Sequence, residues 1–483
     1  MFSQFGGKDL YGLKSKDKIM TNLYQNRLVR VFKEFLGLEI QEKDYSTIYL
    51  NLLEANLKDI DLGKFKDNEK YTNEDYVYLT IFNAVTGLSA ELGNDLLNKL
   101  LEKELKSSSD LKERVDFMIL QDKDSKRKPR LVPNKTTYLS KIRRLKIRVI
   151  QEMIDDSIDR FVERLMKLKG LKQKITLAFD FTEEEYYGKS IDKYVIRGKY
   201  KNGTNKFFKF LTCNICIKGQ RFTIGFQVWK NGLNKAKYMK KMLKKVQELG
   251  FTIELVTMDR GFYSQKIFRM LEKIGLKFLV PAKIYEPIKK KVIAFFWKKG
   301  KRITTHVVGS NGKFFAGKVI IYPKEKKVSE IRRECRKNGA DKKEILKYFF
   351  VFFTNAPLTR FDLWVKKYDK KIPGFYKKRW GIETSYRVKN EFTIPTCSRS
   401  SSIRAFYFGF KVILYNNWVL LNFLLVLANT YSKRKNHQPV KLFKWDLKEF
   451  LLLKLKSILL VRGWIKIPLN LNLSNLEVRK NLT

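Results

Sequence analysis

Histidine and cysteine are scarce in this chain of 483 residues, which has two histidines and four cysteines. The two histidines, His306 and His437, cannot build a histidine-rich metal site, and general base chemistry by histidine is not expected. So few cysteines exclude a disulfide framework. Cys213 and Cys216 have the C-x-x-C spacing of a zinc half-site or a redox motif. No second pair follows, and we interpret them as packed cysteines of a strand.

Acidic side chains are also few, since 100 Lys and Arg face 49 Asp and Glu, a formal net charge of +51. Such an excess opposes compaction unless a polyanion offsets it. Each phosphate that Lys or Arg neutralises releases counterions and adds affinity, so the composition predicts nucleic acid as the partner. The alternative is that many of the lysines only solubilise the surface.

A secretory signal is not evident, because the first seven residues lack the charged and apolar regions of one. The expected location is a reducing prokaryotic cytoplasm, in association with the nucleoid. The apolar segment Ala405–Asn429 has the length of a membrane span, but Lys411 and Asn416 interrupt it. We interpret it as the central helix of a large domain and expect no membrane partner.

Hydrophobic periodicity divides the chain into five parts. Few strand signals precede residue 170, and helices are predicted at Leu23–Leu38, Asn73–Leu105 and Ile142–Leu168. We predict an α-helical N-terminal DNA-binding domain over 1–170. Its basic loop Lys126–Pro133 is either a solvated linker or an arm that follows phosphates. A basic C-terminal region is expected over 431–483.

The fold class expected for the remainder is α/β. Three strand-like runs, a helix, a strand, a helix and a strand follow residue 174, which is the element order of a ribonuclease-H-like domain with a mixed five-stranded sheet. This order predicts the first part of a catalytic domain over 171–283. Short β-like runs predict a β-rich insertion over 284–354, after which the catalytic domain resumes over 355–430.

Two aspartates close apolar strands in this region. Asp180 follows Lys174–Phe179, and Asp259 follows Glu254–Met258. The first and fourth predicted strands are neighbours in the inferred sheet, so the two carboxylates are expected together. Taken alone, each aspartate is as easily the cap of a turn. Glu183, with its two glutamate neighbours, is a rival that we interpret as a loop or surface acid.

A third acid, Glu383, lies on a predicted helix. Tyr376, Arg379 and Glu383 are spaced three and four apart and share one face, and Arg387 stays near it. The alternative is an exposed helix with i,i+4 salt bridges. Carboxylates that hold two Mg²⁺ or Mn²⁺ ions roughly 3.5–4 Å apart are what phosphodiester cleavage by two metals requires. The pattern therefore predicts a metal-dependent DNA-cutting enzyme.

The combination of Y-x-x-R-x-x-x-E with Asp180 and D-R-G-F resembles the cut-and-paste DDE transposases of the insertion-sequence-four superfamily. The resemblance covers about residues 174–430 and extends to an archaeal-type branch. It implies Asp180, Asp259 and Glu383 as catalytic ligands of two metal ions, with Tyr376 and Arg379 on phosphates near the cut transposon end. It further implies nicking, a hairpin intermediate and strand transfer into target DNA. The acting species would be a multimer, most simply a homodimer, bound to the terminal inverted repeats.

Two residues depart from this pattern or add to it. Asn390 stands where the superfamily signature has lysine, and Lys389 points about 120° away from Glu383 on a helix, whereas Arg387 lies only about 40° away. We therefore expect Arg387 to take the phosphate-binding role. Trp297 is the candidate for stacking on a flipped base, although a tryptophan in a β-rich module is more often a core residue. Rival functions are a non-mobile nuclease or recombinase of the same fold and a non-enzymatic DNA-binding protein.

Overall fold

The structure is a computed structural model that describes residues 53–58, 60–63, 71–107, 132–167, 174–189, 192–217, 220–310, 312–356, 376 and 385–430. Several predicted features lie outside these residues: the helix Leu23–Leu38, most of the loop Lys126–Pro133, and the region 431–483.

The N-terminal part is helical wherever it is described. Its helices are α1 (Asn73–Thr86), α2 (Ala90–Ser107), α3 (Lys135–Arg144) and α4 (Ile147–Lys167). The prediction of one helix from 73 to 105 was wrong, because Gly87 ends α1 in the left-handed conformation, with its N–H bonded to the carbonyl of Asn83. Extended backbone at Leu145 likewise separates α3 from α4. Helix α4 packs on the sheet and on the long helix near the end of the described chain.

A mixed sheet of nine strands forms the centre of the molecule. The strands are β1 (Ile175–Glu185), β2 (Val195–Lys201), β3 (Thr204–Ile217), β4 (Gln220–Val228), β5 (Ile253–Met258), β6 (Phe278–Pro281), β7 (Ile303–Ser310), β8 (Lys313–Pro323) and β9 (Phe349–Thr354). Helices α5 (Lys235–Glu248) and α6 (Gln265–Lys273) flank β5 in the chain. The α/β fold class is confirmed.

The catalytic half of the sheet has the ribonuclease-H-like order β4-β3-β1-β5-β6. Strand β1 pairs antiparallel with β3 and parallel with β5, and β5 pairs parallel with β6. The predicted adjacency of the two aspartate-bearing strands is therefore confirmed. Strand β2, which pairs with the first half of β3, was not predicted, because its run Val195–Lys201 carries three basic side chains and a glycine.

The strands expected in a separate insertion continue the same sheet. Strand β9 pairs with β6, with Val280 opposite Phe353, and β8 and β7 follow in order. The insertion also contains three helices, α7 (Glu286–Phe296), α8 (Val328–Lys337) and α9 (Lys342–Lys347), none of which the sequence pattern indicated. Helix α8 has only three apolar residues, Val328, Ile331 and Cys335, so the longer apolar β-like runs dominated the prediction.

The long apolar segment is helix α10 (Ser401–Thr430), which is packed in the core as predicted. Phe408 of α10 stacks on Phe210 of β3 with ring centroids 3.8 Å apart. Asn416 donates to the carbonyl of Thr223 (2.7 Å) and accepts from its N–H (3.0 Å), so one amide clamps α10 to β4. Among the described residues, no helix is long and apolar enough to cross a membrane.

Candidate active site

The pairing of β1 with β5 brings Asp180 and Asp259 to neighbouring positions. Phe179 of β1 pairs with Met258, the last residue of β5; Asp180 is the next residue of β1, and Asp259 directly follows β5. Adjacent strands lie about 4.8 Å apart and successive side chains alternate faces. Since Asp259 keeps extended backbone, both carboxylates leave the sheet on the face opposite Phe179 and Met258. This register places the two residues at neighbouring positions, which their expected proximity requires.

Each aspartate is oriented by the backbone beside it. Asp180 is only 7% exposed, and its Oδ1 accepts from the N–H of Phe181 at 3.0 Å. Asp259 caps a single 3₁₀ turn, Arg260–Phe262, by accepting from the N–H of Gly261. A Cβ at position 261 would lie 2.8 Å from Asp259 Oδ1, so glycine is needed there for close approach rather than for a left-handed turn.

The three glutamates after Asp180 are engaged elsewhere. They belong to β1 and not to a loop. Glu183 pairs with Lys209 at 2.6 Å, Glu184 with Lys411 at 2.8 Å, and Glu185 accepts from the amide of Asn202 at 3.0 Å. Each of these carboxylates already has a lysine or amide partner within the sheet and its turns or on the long helix.

The helix predicted to carry the third acid is described only in part. Arg379 and Glu383 lie outside the described residues. Tyr376 packs on Phe352 of β9 with centroids 5.0 Å apart. Residues 385–390 are helical, with Arg387 exposed, consistent with a surface that meets a ligand from solvent.

A buried lysine close to Asp180 is the main feature that sequence reasoning missed. Lys389 is 1% exposed, and its Nζ lies 4.6 Å from the ring of Tyr386 and 4.8 Å from that of Tyr415. The pKa of Lys389 is lowered to about 7, mainly by burial and also by the nearby charge of Lys411, while the charge of Asp180 acts in the opposite direction. The signal in the sequence was Thr212 and Asn214, two polar residues on one face of an apolar strand.

A second lysine lies beside Asp259 on the other side of the sheet. Lys235 donates to the carbonyl of Gly261 at 3.0 Å, and its Nζ lies 5.2 Å from the ring of Phe181. Burial lowers the pKa of Lys235, whereas the charge of Asp259 raises it. Asp180 and Asp259 thus each have a partly or fully buried lysine nearby.

Trp297 follows α7 and is 40% exposed, so it is not a core residue. It begins a basic turn that runs Lys298, Lys299, Gly300, Lys301 and Arg302, and Arg336 lies 5.7 Å from its ring. An exposed indole among basic side chains suits contact with a nucleic acid.

The donor chemistry suits a hard divalent cation, because paired carboxylates offer the oxygen ligands that Mg²⁺ prefers. Within the described ranges, no group of three or more His, Cys, Asp or Glu side chains could hold a metal ion. A metal site built on Asp180 and Asp259 would therefore need further ligands from outside the described residues, which do not include Glu383.

A ribonuclease-H-like sheet with aspartates on its two central parallel strands defines a class of enzymes that act on nucleic acids. The model of the transposase DDE domain matches residues 172–416, which is just over half of the 483 residues. The chain belongs to this family. The match begins just before β1 and ends within α10, so it includes Asp180, Asp259 and the insertion.

Solved structures with some likeness are complexes of transposases with DNA. The piggyBac transposase synaptic complex with hairpin DNA is 12% identical with a TM-score of 0.43, covering 92% of this chain and 83% of its own. The Drosophila P element transposase strand transfer complex is 12% identical with a TM-score of 0.20, covering 69% of this chain and 74% of its own. The Mos1 strand transfer complex is 11% identical with a TM-score of 0.15, covering 68% of this chain and 92% of its own. No curated protein matches. Family membership rests on the domain match.

Proposed function

We propose that this protein is a cut-and-paste transposase that cleaves DNA at the ends of its own element and joins them to a target. The observation that carries the proposal is the parallel register of β1 and β5, which sets Asp180 beside Asp259 in a chain of the transposase DDE family. Capping of the turn after β5 accounts for Asp259 alone, but not for a second aspartate at the neighbouring position of β1.

The proposed site uses Asp180, Asp259 and Glu383 as ligands of two Mg²⁺ or Mn²⁺ ions. Bound metal ions would supply charge neutralisation and a polarised attacking oxygen. Asp180 and Asp259 fix two corners of the site, each held by an adjacent backbone N–H. Tyr376, Arg379 and Arg387 are proposed to hold the backbone of the transposon end, because phosphate contacts position a duplex without reading its sequence.

A cleavage assay on the flanking DNA tests this function. The substrate is a labelled duplex that spans either border of the genomic segment around the reading frame, incubated with the full chain and Mg²⁺. We expect a nick at the border of an inverted repeat, then joining to a target duplex, with both products lost in EDTA. Equal products in EDTA, or nicks unrelated to the borders, would contradict the proposal and favour a non-mobile nuclease.

DNA is the proposed partner of the exposed Trp297 as well. Base–aromatic stacking contributes about 1–3 kcal/mol per base, so Trp297→Ala should weaken binding of an end with unpaired bases by roughly 5- to 150-fold. Binding of a fully paired duplex should change little. Fluorescence anisotropy with the two substrates measures both affinities.

The matched control for this substitution is Phe314→Ala. Phe314 is also exposed in the insertion, on β8, but no described arginine stacks on its ring. Phe314→Ala should leave both affinities unchanged, and Trp297→Phe should recover part of the loss. A loss of equal size for paired and unpaired ends would show that Trp297 does not stack on a base.

A further inference from the structure

The helical segment 385–390 contacts the sheet through a partly buried hydroxyl relay that ends at the main-chain carbonyl of Asp180. Thr212 of β3 lies directly opposite Asp180 of β1. Its Oγ1 donates to the main-chain carbonyl of Asp180 at 3.3 Å and lies 2.5 Å from the hydroxyl of Tyr386. Because a threonine hydroxyl has one proton, Tyr386 is the donor in the second bond.

Every hydrogen-bonding position of the Thr212 hydroxyl is used. Besides Tyr386, its Oγ1 accepts from the amide of Asn214 at 3.1 Å, which fills both lone pairs. Asn214 Oδ1 accepts from Thr223 at 2.7 Å, and the Nζ of Lys389 lies 3.5 Å from it. A buried network in which each member is satisfied fixes one arrangement, because shifting any member leaves a buried polar group without its bond.

Lys389 adds a second constraint on the same helical segment. Its buried ammonium lies over the face of the Tyr386 ring and 3.4 Å from the hydroxyl of Ser385 one turn earlier. The ring of Tyr386 is therefore held on its face by a cation and at its tip by Thr212. Both contacts involve a segment that begins two residues after Glu383 in the sequence.

We propose that Tyr386 and Thr212 are positioning residues for the metal site, which couple the helix downstream of Glu383 to the strand position of Asp180. The proposal rests on the proposed function for the identity of the site. Mg²⁺ demands near-ideal octahedral geometry, whereas Ca²⁺ accepts a flexible one. A small displacement of Asp180 therefore weakens Mg²⁺ binding more than Ca²⁺ binding.

The test is calorimetric titration of Mg²⁺ and of Ca²⁺ into the full chain and into Tyr386→Phe and Thr212→Val. Both substitutions keep shape and remove one hydroxyl. Loss of an outer-shell partner typically costs about 10- to 100-fold in metal affinity, so each variant should bind Mg²⁺ at least about 10-fold more weakly, with a smaller change for Ca²⁺. The double variant should lose no more Mg²⁺ affinity than the weaker-binding single variant, because either substitution already breaks the same chain of hydrogen bonds.

A second threonine–tyrosine pair in the same chain provides the control. Thr80 Oγ1 lies 2.8 Å from the hydroxyl of Tyr138 and donates to the carbonyl of Tyr76, and both side chains are buried. Thr80→Val and Tyr138→Phe remove the same groups from α1 and α3, so they should leave both metal affinities unchanged. Equal weakening by the control pair, or unchanged Mg²⁺ binding in Tyr386→Phe and Thr212→Val, would overturn the proposal.

The metal titration separates this proposal from the proposed function. A chain that binds Mg²⁺ with the expected dependence on Tyr386 but cuts no DNA would contradict the transposase activity and leave the positioning role in place. A chain that cuts transposon ends equally well with and without the Tyr386 hydroxyl would contradict the positioning role alone.

Discussion

Asp180→Asn should abolish Mg²⁺-dependent cleavage while DNA binding persists. The substitution keeps the size of the side chain and its acceptor for the N–H of Phe181, but it removes the negative charge that a divalent cation requires. Removal of a direct ligand should lower metal affinity or activity by more than roughly 100-fold, which is the upper end of the loss typical for outer-shell partners. Asp259→Asn and Glu383→Gln should behave alike if the three acids hold the same ions. Single-turnover cleavage of an end-containing duplex, with binding measured in Ca²⁺, provides both quantities.

Glu183→Gln is the matched control for this series. Glu183 belongs to the same strand, three residues after Asp180, but its carboxylate pairs with Lys209 on the opposite face of the sheet. Cleavage should stay close to that of the unmodified chain. Near-normal nicking by Asp180→Asn would remove Asp180 from the metal site, and an equal loss in Glu183→Gln would show that the strand, not the ligand, had been damaged.

Phe408→Ala should lower the free energy of unfolding by about 3–5 kcal/mol, the usual cost of removing a buried phenylalanine ring. Phe408 is 1% exposed, stacks on Phe210 at 3.8 Å, and also contacts Phe226 at 5.2 Å. The ring joins α10 to two strands of the catalytic sheet, so its loss leaves a cavity between layers. Because native proteins are stable by only about 5–15 kcal/mol, much of the chain's stability would be lost.

Urea unfolding followed by circular dichroism measures this change. Phe314→Ala removes the same ring from an exposed position, where it is 57% accessible, and should change stability by no more than about 0.5 kcal/mol. A cost below about 1 kcal/mol for Phe408→Ala would mean that α10 can repack and is not the central support of the sheet.

The sequence predicted the structure correctly where a local pattern of apolar and polar residues determines a strand or a helix. Asp180 and Asp259 both follow apolar runs, and the order of strands and helices between them leaves one common topology, so their adjacency could be predicted. The central helix α10 could be predicted too, because Lys411 and Asn416 interrupt its apolar run; in the structure these two residues pair with β1 and β4.

The prediction failed where the outcome depends on contacts between distant segments. The backbone ends α1 at Gly87, but a glycine inside an apolar helical pattern is a weak signal when read alone. The orientation of Lys389 was judged from helix geometry relative to Glu383. Its actual environment is set by Asn214, 175 residues earlier, which no local pattern indicates. The predicted role of Arg387 stays a prediction, since it depends on a bound DNA.

The pairing of β6 with β9 gives the inserted segment a protective role. Strand β6 (Phe278–Pro281) is apolar and only four residues long. It would end the sheet with an unpaired edge if the chain ran directly from β6 to the segment that carries Glu383. Exposed apolar edges recruit strands from other copies and lead to aggregation. Strand β9 occupies that edge, and β8 and β7 move the boundary to β7, which carries the polar residues Thr304, Thr305, His306 and Ser310. The insertion cannot be removed as an accessory module without uncovering the edge that it shields.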